Sequence, residues 1–156
     1  MGFDLEKIID PEKSIEEGCC SIAPSAETVC YGNIYENLAK LYDFKLSTPW
    51  KDLPKKGQRA FLHGINRKWT KMTFVHPQSG KRWVDYVRWD GVLGEAWSRY
   101  SAATSDSYKS KMEALMHESI CPACEGARIK PYPAATKLGG LKIAELCALP
   151  AEEALA

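Results

Sequence analysis

The chain has 156 residues, 45% hydrophobic and 26% charged, with a formal net charge of +1. That length buries one modest core in one or two small domains, and the balance of charge excludes a uniformly basic or acidic protein. No apolar run reaches the length of a membrane span and the first ten residues lack a signal-peptide pattern, so the six cysteines are expected reduced or metal-bound rather than in disulfides.

Charge is unevenly spread. Residues 1–50 carry four Lys/Arg and nine Asp/Glu, residues 51–100 eleven and four, and residues 101–156 six and seven. A basic middle in a near-neutral chain implies one basic face.

Residues 1–32 are punctuated by Pro11, Gly18, Pro24 and Gly32 and read as irregular. The adjacent Cys19 and Cys20 read as incidental, because neighbouring cysteines make a strained disulfide and buried cysteine is often merely a small apolar group. Asn33 is a reasonable cap, and Ile34, Leu38, Leu41 and Tyr42 recur at helical spacing, which predicts an amphipathic helix from Ile34 to Phe44. Thr48-Pro49-Trp50 breaks it. A second helix is predicted over Pro54 to His63, ended by Gly64, with Ala60, Phe61 and Leu62 inward and Lys51, Lys55, Lys56 and Arg59 on the wet side.

Arg67 to Trp89 reads as a β-hairpin. Trp69, Lys71, Thr73 and Val75 alternate with Thr70, Met72 and Phe74, and Trp83, Asp85, Val87 and Trp89 alternate with Arg82, Val84, Tyr86 and Arg88. Arg67, Lys68, Lys71, Lys81, Arg82 and Arg88 cluster on this hairpin and its ends. Two readings stand for it. The tryptophans are expected to fill the core against the helices, as large aromatics usually do; alternatively, rings and cations together hold bases and phosphates. After the Asp90-Gly91 turn, a helix is predicted over Val92 to Tyr100, and another, capped by Thr104, Ser105 or Asp106, runs to about Glu118 with Met112, Leu115 and Met116 buried.

Cys121-Pro122-Ala123-Cys124, with Gly126 just beyond, reads as a zinc-knuckle turn: two thiolates two residues apart grip one metal ion from a tight turn. A tetrahedral site needs four ligands, and this turn supplies two. His117 and Cys147 are possible partners at a non-standard spacing, although Cys147 also reads as a small buried residue of Ile143 to Leu149. Pro131 and Pro133 favour extended backbone, Gly139-Gly140 turns a short hairpin, Leu141 to Leu149 is helical, and a last helix, Ala151 to Ala156, stops in mid-pattern.

Cys121 to Pro131, then Lys137-Leu138-Gly139-Gly140-Leu141-Lys142-Ile143-Ala144-Glu145-Leu146, resembles UvrA, the damage-sensing ATPase subunit of the bacterial excinuclease. Phe3-Asp4, Ile8-Ile9-Asp10-Pro11, Ser14-Ile15-Glu16-Glu17-Gly18 and Thr48-Pro49-Trp50-Lys51-Asp52-Leu53-Pro54 agree with it in order. The resemblance covers nearly the whole chain but only a slice of the family protein, its insertion domain and the zinc turn that closes it. It implies that the partner C-x-x-C lies just before Phe3 in the family, so that the chain is a fragment cut from a larger ABC-type ATPase.

The expected architecture is α+β, mainly helical with one antiparallel hairpin and a zinc-knuckle turn. Residues 1–119 form an insertion-domain-like lobe; residues 120–156 carry the zinc turn, a short hairpin and the start of a helical segment. The resemblance implies DNA binding in nucleotide excision repair and the SOS response, in the cytoplasm, within a UvrA homodimer that hydrolyses ATP and meets UvrB through other parts of the parent. It matches Cys121 and Cys124 to two zinc ligands, and Arg128 and Lys130 to the basic positions just after the turn; with these two, the cluster Arg67, Lys68, Lys71, Lys81, Arg82 and Arg88 on the hairpin makes up the candidate DNA-binding set. Gly80-Lys81 is the only Gly-Lys, and a phosphate loop around it would need glycine at Val75 and Ser/Thr at Arg82, so no ATPase motif is expected in this piece. The rival expectation is a free-standing, metal-stabilised adaptor built on His117 and Cys147.

Overall fold

The computed structural model describes residues 2–66, 68–118 and 135–150. They fall in two compact units, Gly2–His117 and a second from Glu118 onward. The architecture is α+β, with six α-helices and small antiparallel hairpins among the described residues.

The first unit begins with β1 (Gly2–Phe3) and the single-turn α1 (Leu5–Ile8), capped by the Asp4 carboxylate, which accepts from the Glu6 amide at 3.1 Å. Residues 9–28 hold no long element, as anticipated, but they are firmly tied. Ile9 bridges Cys20, Ser14 bridges Pro49, and Ile8, Ile15, Cys19, Cys20 and Ile22 are all buried. Cys19 and Cys20 are core groups. Burial pushes the Cys19 thiol up to about 12, and the Cys20 thiol is raised for the same reason.

Four helices cover the middle of the unit. α2 (Val29–Tyr42) starts earlier than its apolar spacing suggests, so Asn33 sits inside the helix rather than capping it. Pro54 precedes α3 (Lys55–His63), whose Ala60, Phe61 and Leu62 are buried as predicted. Lys51 is not on α3: it lies in the 3-10 turn Trp50–Asp52 and pairs with Glu12. The core centres on rings: Tyr35 lies 5.1 Å from Phe61 and 6.1 Å from Trp89, and Trp50 lies 5.7 Å from Phe61. Trp89 is 1% exposed, and its indole N–H donates to the Ala60 carbonyl at 3.0 Å, so the buried polar atom is satisfied.

Two glycines let α3 meet α4 (Gly91–Ala102). Gly64 and Gly91 have φ of +80° and +83°; a Cβ on Gly64 would lie 2.2 Å from the Trp89 carbonyl oxygen, and one on Gly91 2.3 Å from that of Leu62. Only glycine permits both the turn and the approach. α5 (Asp106–Glu113) is capped by the Ser105 hydroxyl and stops short of Glu118. Met112 and Met116 are buried as anticipated, but Met116 reaches the core from a strand. That strand, β4 (Met116–His117), pairs antiparallel with β1, and the Asp4 amide donates to the Leu115 carbonyl at 2.9 Å. A long-range pairing between the first and last residues of the unit therefore overrides the helical pattern, and the chain enters and leaves at one place.

In the second unit, Lys137–Leu138 pairs with Leu141–Lys142 across Gly139 and Gly140, both at positive φ (59° and 88°). This is the hairpin the sequence predicts, with two left-handed residues at the tip. A helix over Ile143–Ala148 follows, with the Glu145 carboxylate accepting from the Lys142 amide at 2.8 Å. Cys147 is exposed on it rather than buried. The expected helix at 151–156 lies outside the described residues, and no described helix is long and apolar enough to cross a membrane.

Candidate nucleic-acid interface

β2 (Trp69–Val75) and β3 (Arg82–Arg88) form the predicted hairpin of the first unit, closed by a tight loop in which the His76 amide donates to the Lys81 carbonyl at 2.9 Å. Residues directly opposite in an antiparallel pair share a face. The pairs Thr70–Val87, Met72–Asp85 and Phe74–Trp83 form one face, with Met72 and Phe74 buried and the Phe74 and Trp83 rings stacked at 5.4 Å. The pairs Trp69–Arg88, Lys71–Tyr86, Thr73–Val84 and Val75–Arg82 form the other, and all of it except the half-buried Val75 is exposed. The register thus gathers two rings and three cations on one wet surface.

This surface is set in place by α2. Asn33 and Asn37 are one turn apart and face the free edge of β2. The Asn33 amide accepts from the Val75 N–H at 2.7 Å and donates to the Val75 carbonyl at 3.0 Å; that of Asn37 accepts from the Thr73 N–H at 3.0 Å and donates to the Thr73 carbonyl at 2.8 Å. Each side-chain amide does what the backbone of a third strand would do. The pairs Thr73–Val84 and Val75–Arg82 are therefore the close, non-hydrogen-bonded kind, which brings their side chains nearer across the face. Nothing local in the sequence announces this clamp, because the partners are 36 and 42 residues apart.

The tryptophans divide in a way the core expectation did not foresee. Trp50 and Trp89 are buried, whereas Trp69 is 69% exposed and Trp83 and Trp97 are also open to solvent. Tyr86 is 60% exposed. The available signal was parity: Trp69 and Lys71 alternate together, as do Arg82, Tyr86 and Arg88. What parity lacked was which side the helices would cover.

Lys71, Arg82 and Arg88 lie on the exposed face, Lys81 immediately precedes β3, and Lys68 immediately precedes β2. The Arg88 guanidinium lies 3.1 Å from Asp90, a solvent-exposed pair that holds the cation weakly. No ion pair among the described residues engages Lys68, Lys71, Lys81 or Arg82. Lys71 also borders a 280 Å³ groove between α2 and β2, shared with Asn37, Lys40 and Leu41. Lys55, Lys56 and Arg59 are exposed on α3.

Arg67, Cys121, Cys124, Arg128 and Lys130 lie outside the described residues. His117 is exposed on β4 of the first unit and Cys147 is exposed in the second. No cluster of three or more candidate metal ligands occurs among the described residues.

The family description "UvrA DNA-binding domain" matches residues 4–114. The UvrABC system protein A of Deinococcus radiodurans is 36% identical over 149 residues, covering 92% of this chain and 14% of that protein. That of Thermus thermophilus is 36% identical over 160 residues, covering 99% of this chain and 16% of the relative. Among solved structures, UvrA2 from Deinococcus radiodurans has a similar fold, with a TM-score of 0.65 at 16% identity over 97% of this chain and 19% of that one. The chain therefore spans about a seventh of the length of the curated relatives it matches.

Proposed function

Because the chain belongs to the UvrA DNA-binding domain family, we propose that its first unit is a DNA-binding lobe serving damage recognition in nucleotide excision repair. One observation carries this reading: the strand register puts Lys71, Arg82 and Arg88 beside Trp69 and Tyr86 on an exposed face clamped to α2. Lys68 and Lys81 extend the same positive field. Such a face neutralises phosphates, so its binding is insensitive to sequence and falls steeply with salt.

The lobe acts as an attachment in a longer protein. Pairing of Gly2–Phe3 with Met116–His117 closes its base, which suits a body that swings as a unit on one tether and turns its basic face toward a duplex. In that parent, ATP hydrolysis, homodimerisation and contact with UvrB belong to other segments, and the setting is the cytoplasm. Cys121 and Cys124 would supply two thiolates of a four-ligand zinc site that steadies the base. Arg128 and Lys130 would add basic groups just after that turn.

The test is charge reversal of Lys71, Lys81, Arg82 and Arg88 to Glu, read by DNA binding across a salt series. The expected result is weaker binding at low salt and a log–log salt slope shallower by about one unit for each phosphate that is no longer neutralised. Unchanged affinity and slope, with the circular dichroism spectrum intact, would remove the DNA surface from this face.

A further inference from the structure

We infer that the open end of β2, from Trp69 to Lys71, is a strand-addition site for an extended acidic segment of another protein. This goes beyond the DNA-binding reading and does not depend on it. The carrying observation is a ladder of side-chain amides that stops one rung short. On α2, Asn33 pairs with the N–H and C=O of Val75, and Asn37 with those of Thr73. Positions one turn apart on the helix thus match alternate residues of the strand. The next pair in both series is Leu41 and Lys71, and a leucine side chain neither donates nor accepts. Hydrogen-bonding direction alternates along a strand, so the Lys71 N–H and C=O point to the same edge as those of Thr73 and Val75. No hydrogen bond among the described residues engages them on that edge.

The two occupied rungs display the chemistry the open one accepts. Each holds a carboxamide, the same group as a peptide bond, so the rung at Lys71 suits a peptide backbone laid beside β2. The 280 Å³ groove between α2 and β2 borders it, lined in part by Lys40, Leu41, Lys71 and Met72. Leu41 is 55% exposed and Met72 is buried, and together they give the groove an apolar lining for one side chain of the incoming strand. Lys40 and Lys71 enter no ion pair among the described residues, and Lys68 lies just before the strand. A segment that alternates Asp or Glu with an apolar residue complements this pattern. A second copy of the chain does not, since pairing Trp69–Lys71 with its own counterpart sets lysine against lysine. A DNA backbone offers phosphates to the lysines but no donor to the Lys71 carbonyl.

The experiment uses the whole 156-residue chain, isotope-labelled, and a capped Glu-Val-Glu-Val-Glu peptide, read by amide shifts and hydrogen exchange. At a peptide concentration about ten times its Kd, exchange at the Lys71 amide should slow by about tenfold, while that at Val84, on the far edge of β3, stays fast. The same peptide N-methylated along its backbone should give no protection, and Lys40→Glu should weaken binding of the unmethylated one. Leu41→Asn extends the amide series by one rung: the variant should protect the Lys71 amide by itself and bind the peptide about tenfold more weakly. No peptide binding, equal binding of the N-methylated peptide, or equal affinity in the parent and Leu41→Asn would overturn the proposal. So would protection of the Lys71 amide by self-association of the chain, which would assign the edge to a second copy, or by an oligonucleotide in place of the peptide, which would assign it to DNA.

Discussion

Replacing Asn33 and Asn37 by alanine tests whether the hairpin is held by side-chain amides acting as a third strand. The pair makes four hydrogen bonds to the edge of β2, between 2.7 and 3.0 Å. A net contribution of about 1 kcal/mol per bond sets an upper figure near 4 kcal/mol. Two effects reduce it: water can replace the bonds at the exposed Thr73 site, and alanine improves helix propensity by about 0.5 kcal/mol per position. The double variant should therefore lose about 2–3 kcal/mol, and a domain of this size converts each kcal/mol into about 3–4 °C of melting temperature. Asn37→Asp should cost more than Asn37→Ala, since a carboxylate can accept from the Thr73 N–H but faces the Thr73 carbonyl with lone pairs. Thermal unfolding by circular dichroism measures the loss, and amide hydrogen exchange locates it. In the parent the Thr73 and Val75 amides should exchange slowly, whereas that of Val84, on the far edge of β3, should exchange fast. Equally fast exchange at Thr73, Val75 and Val84 in the parent, or a double variant within about 0.5 kcal/mol of it on this scale, would show that the amides do not hold the strand.

Gly91→Ala should destabilise the first unit by more than about 2 kcal/mol, because its Cβ would press on the Leu62 carbonyl, whereas Gly18→Ala, at φ +78° with open space around it, should cost only about 1 kcal/mol of backbone strain; equal melting of the two variants would refute the backbone-contact argument. Alkylation at pH 8, read residue by residue by mass spectrometry, should label Cys30 and Cys147 at once and spare Cys19 and Cys20 until denaturant is added, since the former are exposed and burial raises the thiol pKa of the latter; early labelling of Cys19 would contradict its place in the core. Zinc should leave the isolated chain on dialysis against a mild chelator, because two thiolates leave half the coordination sphere to water; one equivalent that survives dialysis but is lost in Cys147→Ala would instead favour the adaptor.

Elements whose cause is local were legible in the sequence. Period-two alternation identified both strands of the main hairpin, the Pro54 and Gly64 brackets located α3, and Gly139-Gly140 supplied the two left-handed residues of the second turn. The basic candidates Lys71, Arg82 and Arg88 were legible for the same reason, since parity alone groups them within a strand. Decisions that depend on distant partners were not. Asn33 has the chemistry of a cap and of a strand mimic, and the proximity of Val75, 42 residues away, selects the second. Met116 continues a helical stripe, yet pairing of β4 with β1 draws it into a strand. Trp69 and Trp89 share one hairpin's alternation and end with opposite fates, because burial depends on which face the helices cover. Periodicity records what each residue's neighbours in the chain require; register, the clamp and the exposure of Trp69 and Tyr86 arise from contacts between segments, which only the tertiary structure brings together.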